Sequence, residues 1–195
     1  MEEQEHEQRA GDLEEYAYVL DYLPTGRSYS VKSEPLVQLL GSTRFTLLEA
    51  VPKVTEIKIE EKLYIGKGVR DKISLIKSRL AYENLTEGSR KELQIAIGII
   101  LHENEKKFVD FFNHAAPLNI RTHTLELLPG IGKKHLQAIL EAREEKEFEG
   151  FADITKRVAL LQDPVKLLTE RVLIELKGES RFYILTRPAH HELPR

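Results

Sequence analysis

Residues 125–140 read Leu-Glu-Leu-Leu-Pro-Gly-Ile-Gly-Lys-Lys-His-Leu-Gln-Ala-Ile-Leu, and they constrain the fold more than any other stretch. An apolar helical segment runs into Pro129-Gly130-Ile131-Gly132, and a second helix starts at once with Lys133 and Lys134. The two glycines can take backbone angles that other residues resist. A tight turn there leaves N–H groups pointing outward at a helix N-terminus, where unpaired donors and a partial positive charge attract anions. Lys133 and Lys134 add full charges at the same end.

This stretch resembles the helix-hairpin-helix motif of nucleic-acid-binding proteins, whose turn has the form apolar-x-Gly-apolar-Gly. Leu128, Gly130, Ile131 and Gly132 match it, with Ile131 expected to tuck back between the helices. The resemblance implies a nucleic-acid partner gripped through its phosphates, without base specificity, by Pro129, Gly130, Ile131, Gly132, Lys133 and Lys134. It also implies a monovalent cation on hairpin carbonyls, for which Leu128 and Ile131 are the matching positions. A plain helical hairpin with a glycine turn and no ligand is the alternative.

The chain has 195 residues and a net charge of −3, which at first argues against a nucleic-acid partner. The distribution of charge weakens that objection. Residues 1–15 hold seven acidic side chains against one basic, whereas residues 16–82 hold eleven basic against seven acidic. An acidic tail thus masks a mildly basic N-terminal domain. No cysteine is present, so disulfides and thiolate metal sites are excluded. No apolar run reaches membrane-spanning length, and a cytoplasmic protein without membrane contact or cofactor is expected.

Residues 1–12 read as a disordered acidic tail. Residues 13–85 carry short alternating runs separated by turn residues, at Tyr16–Leu23, Pro35–Leu40, Phe45–Val51, Lys62–Ile65 and Ile73–Leu80. Four or five such strands in about 70 residues suggest a small closed β-barrel, OB-like or else SH3-like. Barrels of both kinds present aromatic and basic groups to nucleic acids. Arg44, Lys62, Tyr64, Lys67, Arg70 and Lys72 are the candidates for a second contact, with Tyr16, Tyr18, Tyr22, Arg27 and Tyr29 as further members.

Residues 86–116 read as one long spine helix. Ser89 and Glu92 have capping-box spacing, and Leu93, Ala96, Ile97, Ile100, Leu101, Phe108, Phe111 and Phe112 recur at helical intervals. Ile95 and Ile99 widen the apolar face. Residues 117–180 form a tandem helix-hairpin-helix domain. Superposing Leu127 on Leu160 pairs Lys133 with Lys166, and sets Gly130, Ile131 and Gly132 against Asp163, Pro164 and Val165. Asp163 puts a negative charge where phosphate would sit, so the second hairpin keeps the frame and not the ligand. Residues 181–195 read as a strand followed by a tail. The fold class is therefore α+β: a small barrel, a spine helix and paired hairpins.

No His-Glu-x-x-His, Walker or Gly-x-Ser-x-Gly pattern occurs, and the chain reads as non-enzymatic. The whole order, with Phe108-Val109-Asp110-Phe111-Phe112-Asn113 leading to the Pro-Gly-Ile-Gly turn, resembles a family of archaeal proteins of unassigned function regarded as RNA- or nucleotide-binding. That resemblance covers about residues 13–188 and implies a β-barrel, a helix-hairpin-helix domain and an archaeal, cytoplasmic origin. A protein-interaction adaptor using the apolar faces of the hairpins is the competing functional expectation.

Overall fold

The structure is a computed structural model that describes residues 14–27 and 33–188. The acidic tail, Tyr29 and the end of the C-terminal tail lie outside the described residues. Five strands are present among them: β1 (Tyr16–Leu23), β2 (Leu36–Gly41), β3 (Leu47–Pro52), β4 (Lys62–Tyr64) and β5 (Ile73–Arg79). Five helices follow: α1 (Glu87–Glu103), α2 (Glu105–His114), α3 (Lys133–Glu145), α4 (Phe151–Arg157) and α5 (Pro164–Leu176). Short 3-10 turns cover Tyr82–Asn84 and Thr124–Leu127. The chain divides into two compact units, residues 1–96 with 175–195, and residues 97–174.

The first unit is built on a curled antiparallel sheet in the order β4-β1-β2-β3-β5. Ala17, Val19, Val37, Leu39, Leu48, Ala50, Leu63, Ile65 and Ile73 from all five strands and the loop after β4 form its core. The closed barrel expected from the sequence is an open half-barrel, and strand direction explains why. β4 runs antiparallel to β1, and β5 runs antiparallel to β3, so the two end strands point the same way. Pairing them would need a parallel crossover of about a dozen residues or more. Residues 65–72 alone connect them.

Side chains on distant elements fix the irregular parts of this unit. The Glu14 carboxylate accepts from the N–H groups of Thr43, Arg44 and Thr46 at 2.6, 2.9 and 3.1 Å, closing the β2–β3 turn. A Cβ on Gly41 would lie 2.1 Å from Glu14 Cδ, so only glycine leaves room for that carboxylate. Gln38 sits fully buried in the middle of β2, and both ends of its amide are satisfied. Its Nε2 donates to Asn84 O at 3.1 Å, and its Oε1 accepts from Thr86 N and Ser89 Oγ at 3.0 and 2.7 Å. An unpaired amide at that depth would be costly, so the sheet and the start of α1 are tied to one geometry.

These contacts change the cap expected for the long helix. Thr86, not Ser89, caps it: Thr86 Oγ1 accepts from Ser89 N at 3.0 Å and donates to Asp21 Oδ2. The single spine helix is also two helices, broken at Asn104 (φ −114°, ψ 30°). The Asn104 side chain donates to Ile100 O at 2.8 Å, the carbonyl its own N–H also reaches, and so competes with the helix ladder. Leu93, Ala96, Ile97, Ile100, Leu101, Phe108 and Phe112 are buried as the spacing predicts, but Ile95 is 49% exposed, which leaves α1 with one apolar face and not two.

In the second unit, side chains tie down helix ends. Arg143 Nη1 donates to the carbonyls of Phe112 and Ala115 at 3.0 Å each, at the end of α2. Arg157 does the same at the end of α3, reaching Ala142 O and Lys146 O. Glu105 Oε1 accepts from Phe151 N at 2.6 Å at the start of α4. Cations at helix C-termini and carboxylates at N-termini also complement the helix dipoles.

The described residues after α5 contain no strand, contrary to expectation. Residues 181–188 are irregular, and Glu175, 2% exposed, holds them. Its carboxylate accepts from Ile184, Leu185 and Thr186 N–H at 2.9, 3.1 and 2.8 Å. Glu175→Gln replaces one acceptor oxygen by a donor facing those N–H groups. The expected result is a loss of about 1–3 kcal/mol in urea unfolding, with faster hydrogen exchange at residues 184–186.

Candidate nucleic-acid interface

The Pro-Gly-Ile-Gly segment forms a compact turn. Leu128 O accepts from Ile131 N at 3.1 Å, Pro129 takes the first corner, and Gly130 the second at φ +83°. That is the geometry of a type II turn, which favours glycine at the second corner. A Cβ on Gly130 would meet Leu167 Cδ2 at 3.6 Å and Gln162 Oε1 at 3.7 Å, ordinary contacts, so the angle and not crowding calls for glycine. Ile131 is 5% exposed and tucks inward.

Gly132 is the N-cap of α3, with no side chain to bond the free N–H groups. A Cβ there would meet nothing within 4 Å. Among the described residues no side chain accepts from the N–H groups of Lys133, Lys134 or His135. Gly132, Lys133 and Lys134 are exposed. His135 Nδ1 lies 3.1 Å from Gly130 O. A carbonyl only accepts, so Nδ1 carries the proton and the ring braces the turn, a role the sequence did not disclose.

The segment preceding the turn is shorter than the helix expected. Thr124–Leu127 is a single 3-10 turn, held by a reciprocal cap. His123 Nδ1 accepts from Leu125 N at 3.1 Å, and Glu126 Oε2 accepts from His123 N at 2.7 Å. Arg171 on α5, 5% exposed, donates to Leu127 O at 3.0 Å. The Leu128 carbonyl, one of two positions considered for a cation, is already engaged by the turn. Among the described residues no cluster of three or more His, Asp or Glu side chains could hold a metal.

The start of α5 is the instructive contrast. Asp163 Oδ1 accepts from Val165 N at 2.9 Å, and Asp163 O accepts from Leu167 N at 3.1 Å. Asp163 therefore stands at the cap position that Gly132 fills in α3, where Leu136 N bonds Gly132 O. The cap-to-cap match sets Gly132 against Asp163, and not against Val165 as the sequence superposition has it. One helix start carries its own carboxylate, and the other is bare.

The second-contact candidates of the half-barrel do not gather in one place. Lys67 and Arg70 line an open cleft of about 330 Å³ together with Lys77 and Arg79, which sequence reasoning missed. Lys72 is engaged, its Nζ lying 2.6 Å from Glu61 Oε1 and 3.2 Å from Glu56 O. That hydrogen bond holds the Glu61 carboxyl below its usual range. Lys62 stands over the rings of Tyr16 and Tyr18 at 5.5 and 5.6 Å. Tyr64 OH accepts from Gly68 N at 3.1 Å, and the Tyr64 ring meets Tyr16 edge-on at 5.4 Å. The Arg44 N–H goes to Glu14. Tyr18 is core and Arg27 pairs with Glu49 at 2.6 Å, so neither serves as an open contact.

The family profile of a protein of unknown function, DUF655, matches residues 13–187. The chain belongs to the DUF655 family. An uncharacterized protein of Methanocaldococcus jannaschii is 42% identical over 179 residues, covering 90% of this chain and 81% of the relative. The crystal structure of the DUF655 protein Af1531 from Archaeoglobus fulgidus is similar with a TM-score of 0.83 and 43% identity. That likeness covers 89% of this chain and all of the other. Both of these homologues are archaeal, in keeping with the sequence resemblance. No helix among the described residues is long and apolar enough to cross a membrane.

His123 makes the approach to the turn sensitive to pH. Burial, and then the Arg143 charge, hold its pKa below the ordinary 6.5, against the opposing pull of Glu126 and the Ala115 backbone. A depressed folded pKa means that the neutral ring stabilises the fold fully above the unfolded value and loses that contribution as pH falls through the folded one. Denaturant unfolding should show stability falling from about pH 7.5 to about pH 5, with His123→Gln removing that component relative to wild type.

Proposed function

We propose that this DUF655 protein binds RNA or DNA without chemistry of its own, gripping one backbone phosphate at the Gly130–Lys134 turn. The observation that carries the reading is the bare start of α3. Thr86 caps α1, Glu105 serves α4 and Asp163 serves α5, whereas among the described residues no side chain accepts from the N–H groups after Gly132. Two exposed lysines flank them, and glycine keeps the approach open. A phosphate fits this arrangement as donor count, charge and space require. In this reading the turn is a shortened helix-hairpin-helix, and the half-barrel takes the part of an OB-like second contact through groups such as Lys67 and Arg70.

Phosphate recognition of this kind reads no base, so affinity should fall steeply with salt. A Gly132→Asp variant tests the site without threatening the fold, because it copies the cap at Asp163 and its side chain enters open space. Its stability should be equal or slightly raised. In fluorescence anisotropy with single-stranded RNA, single-stranded DNA and duplexes, binding should weaken about tenfold or more. Lys133→Glu should act in the same direction. Unchanged binding in both variants would remove the hairpin from the interface, and no binding to any nucleic acid would favour the adaptor reading.

A further inference from the structure

The half-barrel carries a cleft of about 330 Å³, lined by residues of the 65–70 segment and of β5. Its floor is aliphatic. Leu48 and Ile65 belong to the sheet core at 6% and 4% exposure, and Ile76 packs against that core. Its rim is basic, with Lys67, Arg70, Lys77 and Arg79. Two of these cations are already engaged: Lys77 Nζ lies 2.7 Å from Glu34 Oε2, and Arg70 Nε donates to Gly66 O at 2.8 Å. Lys67 and Arg79 are exposed and have no protein partner among the described residues. The one carboxylate in the lining, Glu14, is bonded by three backbone N–H groups.

The third ingredient is backbone. Among the described residues β5 pairs with β3 on one side and with no strand on the other, because the barrel does not close. An edge strand presents a row of unpaired N–H and C=O groups. Residues 76–79 of that edge line the cleft. An aliphatic floor, a hydrogen-bonding edge and two free cations thus surround a space at the lower end of the range for small-ligand sites.

From this juxtaposition we infer that the cleft is a site for one nucleotide unit, its base on Leu48, Ile65 and Ile76 and its phosphate at Lys67 and Arg79. Free phosphate would use the cations and leave the aliphatic floor wet. A fatty-acid-like ligand would cover the floor and leave the β5 backbone unpaired. A nucleotide has a flat apolar face, an edge of donors and acceptors, and an anion one sugar away, and so uses all three. The same unit can come from a free mononucleotide or from a single strand. The inference rests on the half-barrel part of the proposed function, whose second contact it narrows to one nucleotide unit, and is separable from the hairpin, since all of these residues lie in the first unit.

The test is a titration of the full-length chain with AMP and, separately, with inorganic phosphate, followed by backbone amide NMR. AMP should saturate and shift the amides of residues 65–70 and 76–79, and phosphate should bind about tenfold or more weakly. A Lys67→Ala, Arg79→Ala double variant, altering two exposed side chains, should weaken AMP by about tenfold or more. Gly132→Asp should leave the AMP-induced shifts at residues 65–70 and 76–79 unchanged, which separates this site from the hairpin. A short single-stranded RNA that moves the same amides and is displaced by AMP would assign the nucleotide to a strand. AMP binding without strand binding would assign it to a free nucleotide. Absence of AMP shifts, equal binding of phosphate and AMP, or full affinity in the double variant would each overturn the inference.

Discussion

A backbone N–H that leaves regular structure must find an acceptor or face water, and this chain meets that requirement largely with side chains from distant positions. Glu14 holds the β2–β3 turn, Glu105 the start of α4 and Glu175 the segment beyond α5. Arginines do the complementary work on carbonyls at the ends of α2 and α3. Each such bond adds about 1 kcal/mol, or somewhat more when charged, and a missing one exposes the full desolvation penalty of the group left behind. A chain with short strands and helices has many ends, so these contacts decide whether its loops have one conformation or several. The high acidic content of the sequence is partly explained in this way: several carboxylates face inward as caps.

Two helix starts depart from that pattern: α2, whose Asn104 makes no side-chain cap bond, and α3. The start of α3 is as well formed as the others, with Gly130 and His135 bracing the turn, yet among the described residues no side chain satisfies its N–H groups. Water can do so at an exposed site, so stability does not demand a ligand. What stands out is the combination of bare donors, clear space and two lysines. The half-barrel shows a related economy, because the strand directions that keep β4 and β5 apart also leave β5 with a free backbone edge.

The parts of this architecture that were legible in the sequence are those decided within a few residues. The turn at Pro129–Gly132 follows from a corner that needs positive φ, and Asp163-Pro164 marks a capped helix start by the same local logic. Strand positions followed from alternation and turn residues. What was hidden depends on partners far along the chain. Ser89 and Glu92 have the spacing of a capping box, but Gln38 claims the Ser89 hydroxyl and Thr86 becomes the cap. Asn104 sits in an otherwise continuous helical pattern, and its break rests on one side-chain bond. Residues 181–187 read as a strand, and a single buried carboxylate draws the N–H groups of residues 184–186 elsewhere. In the cleft, Lys77 and Arg79 were visible as charges, but their meeting with Lys67 and Arg70 depends on how the sheet curls.

The Glu175 contact has a consequence for how the protein is made. The unit that contains the half-barrel takes in both residues 1–96 and residues 175–195, and the intervening 78 residues (97–174) form the other unit from one unbroken stretch. On the ribosome, where chains emerge at about 5–20 residues per second and domains generally fold as units, the later-starting unit has all of its sequence first. The half-barrel's unit begins synthesis earlier and is completed last, when Glu175 and residues 184–186 have both left the exit tunnel. Until then its strands wait for a closing segment, so that unit becomes whole only after residues 97–174 have all been made.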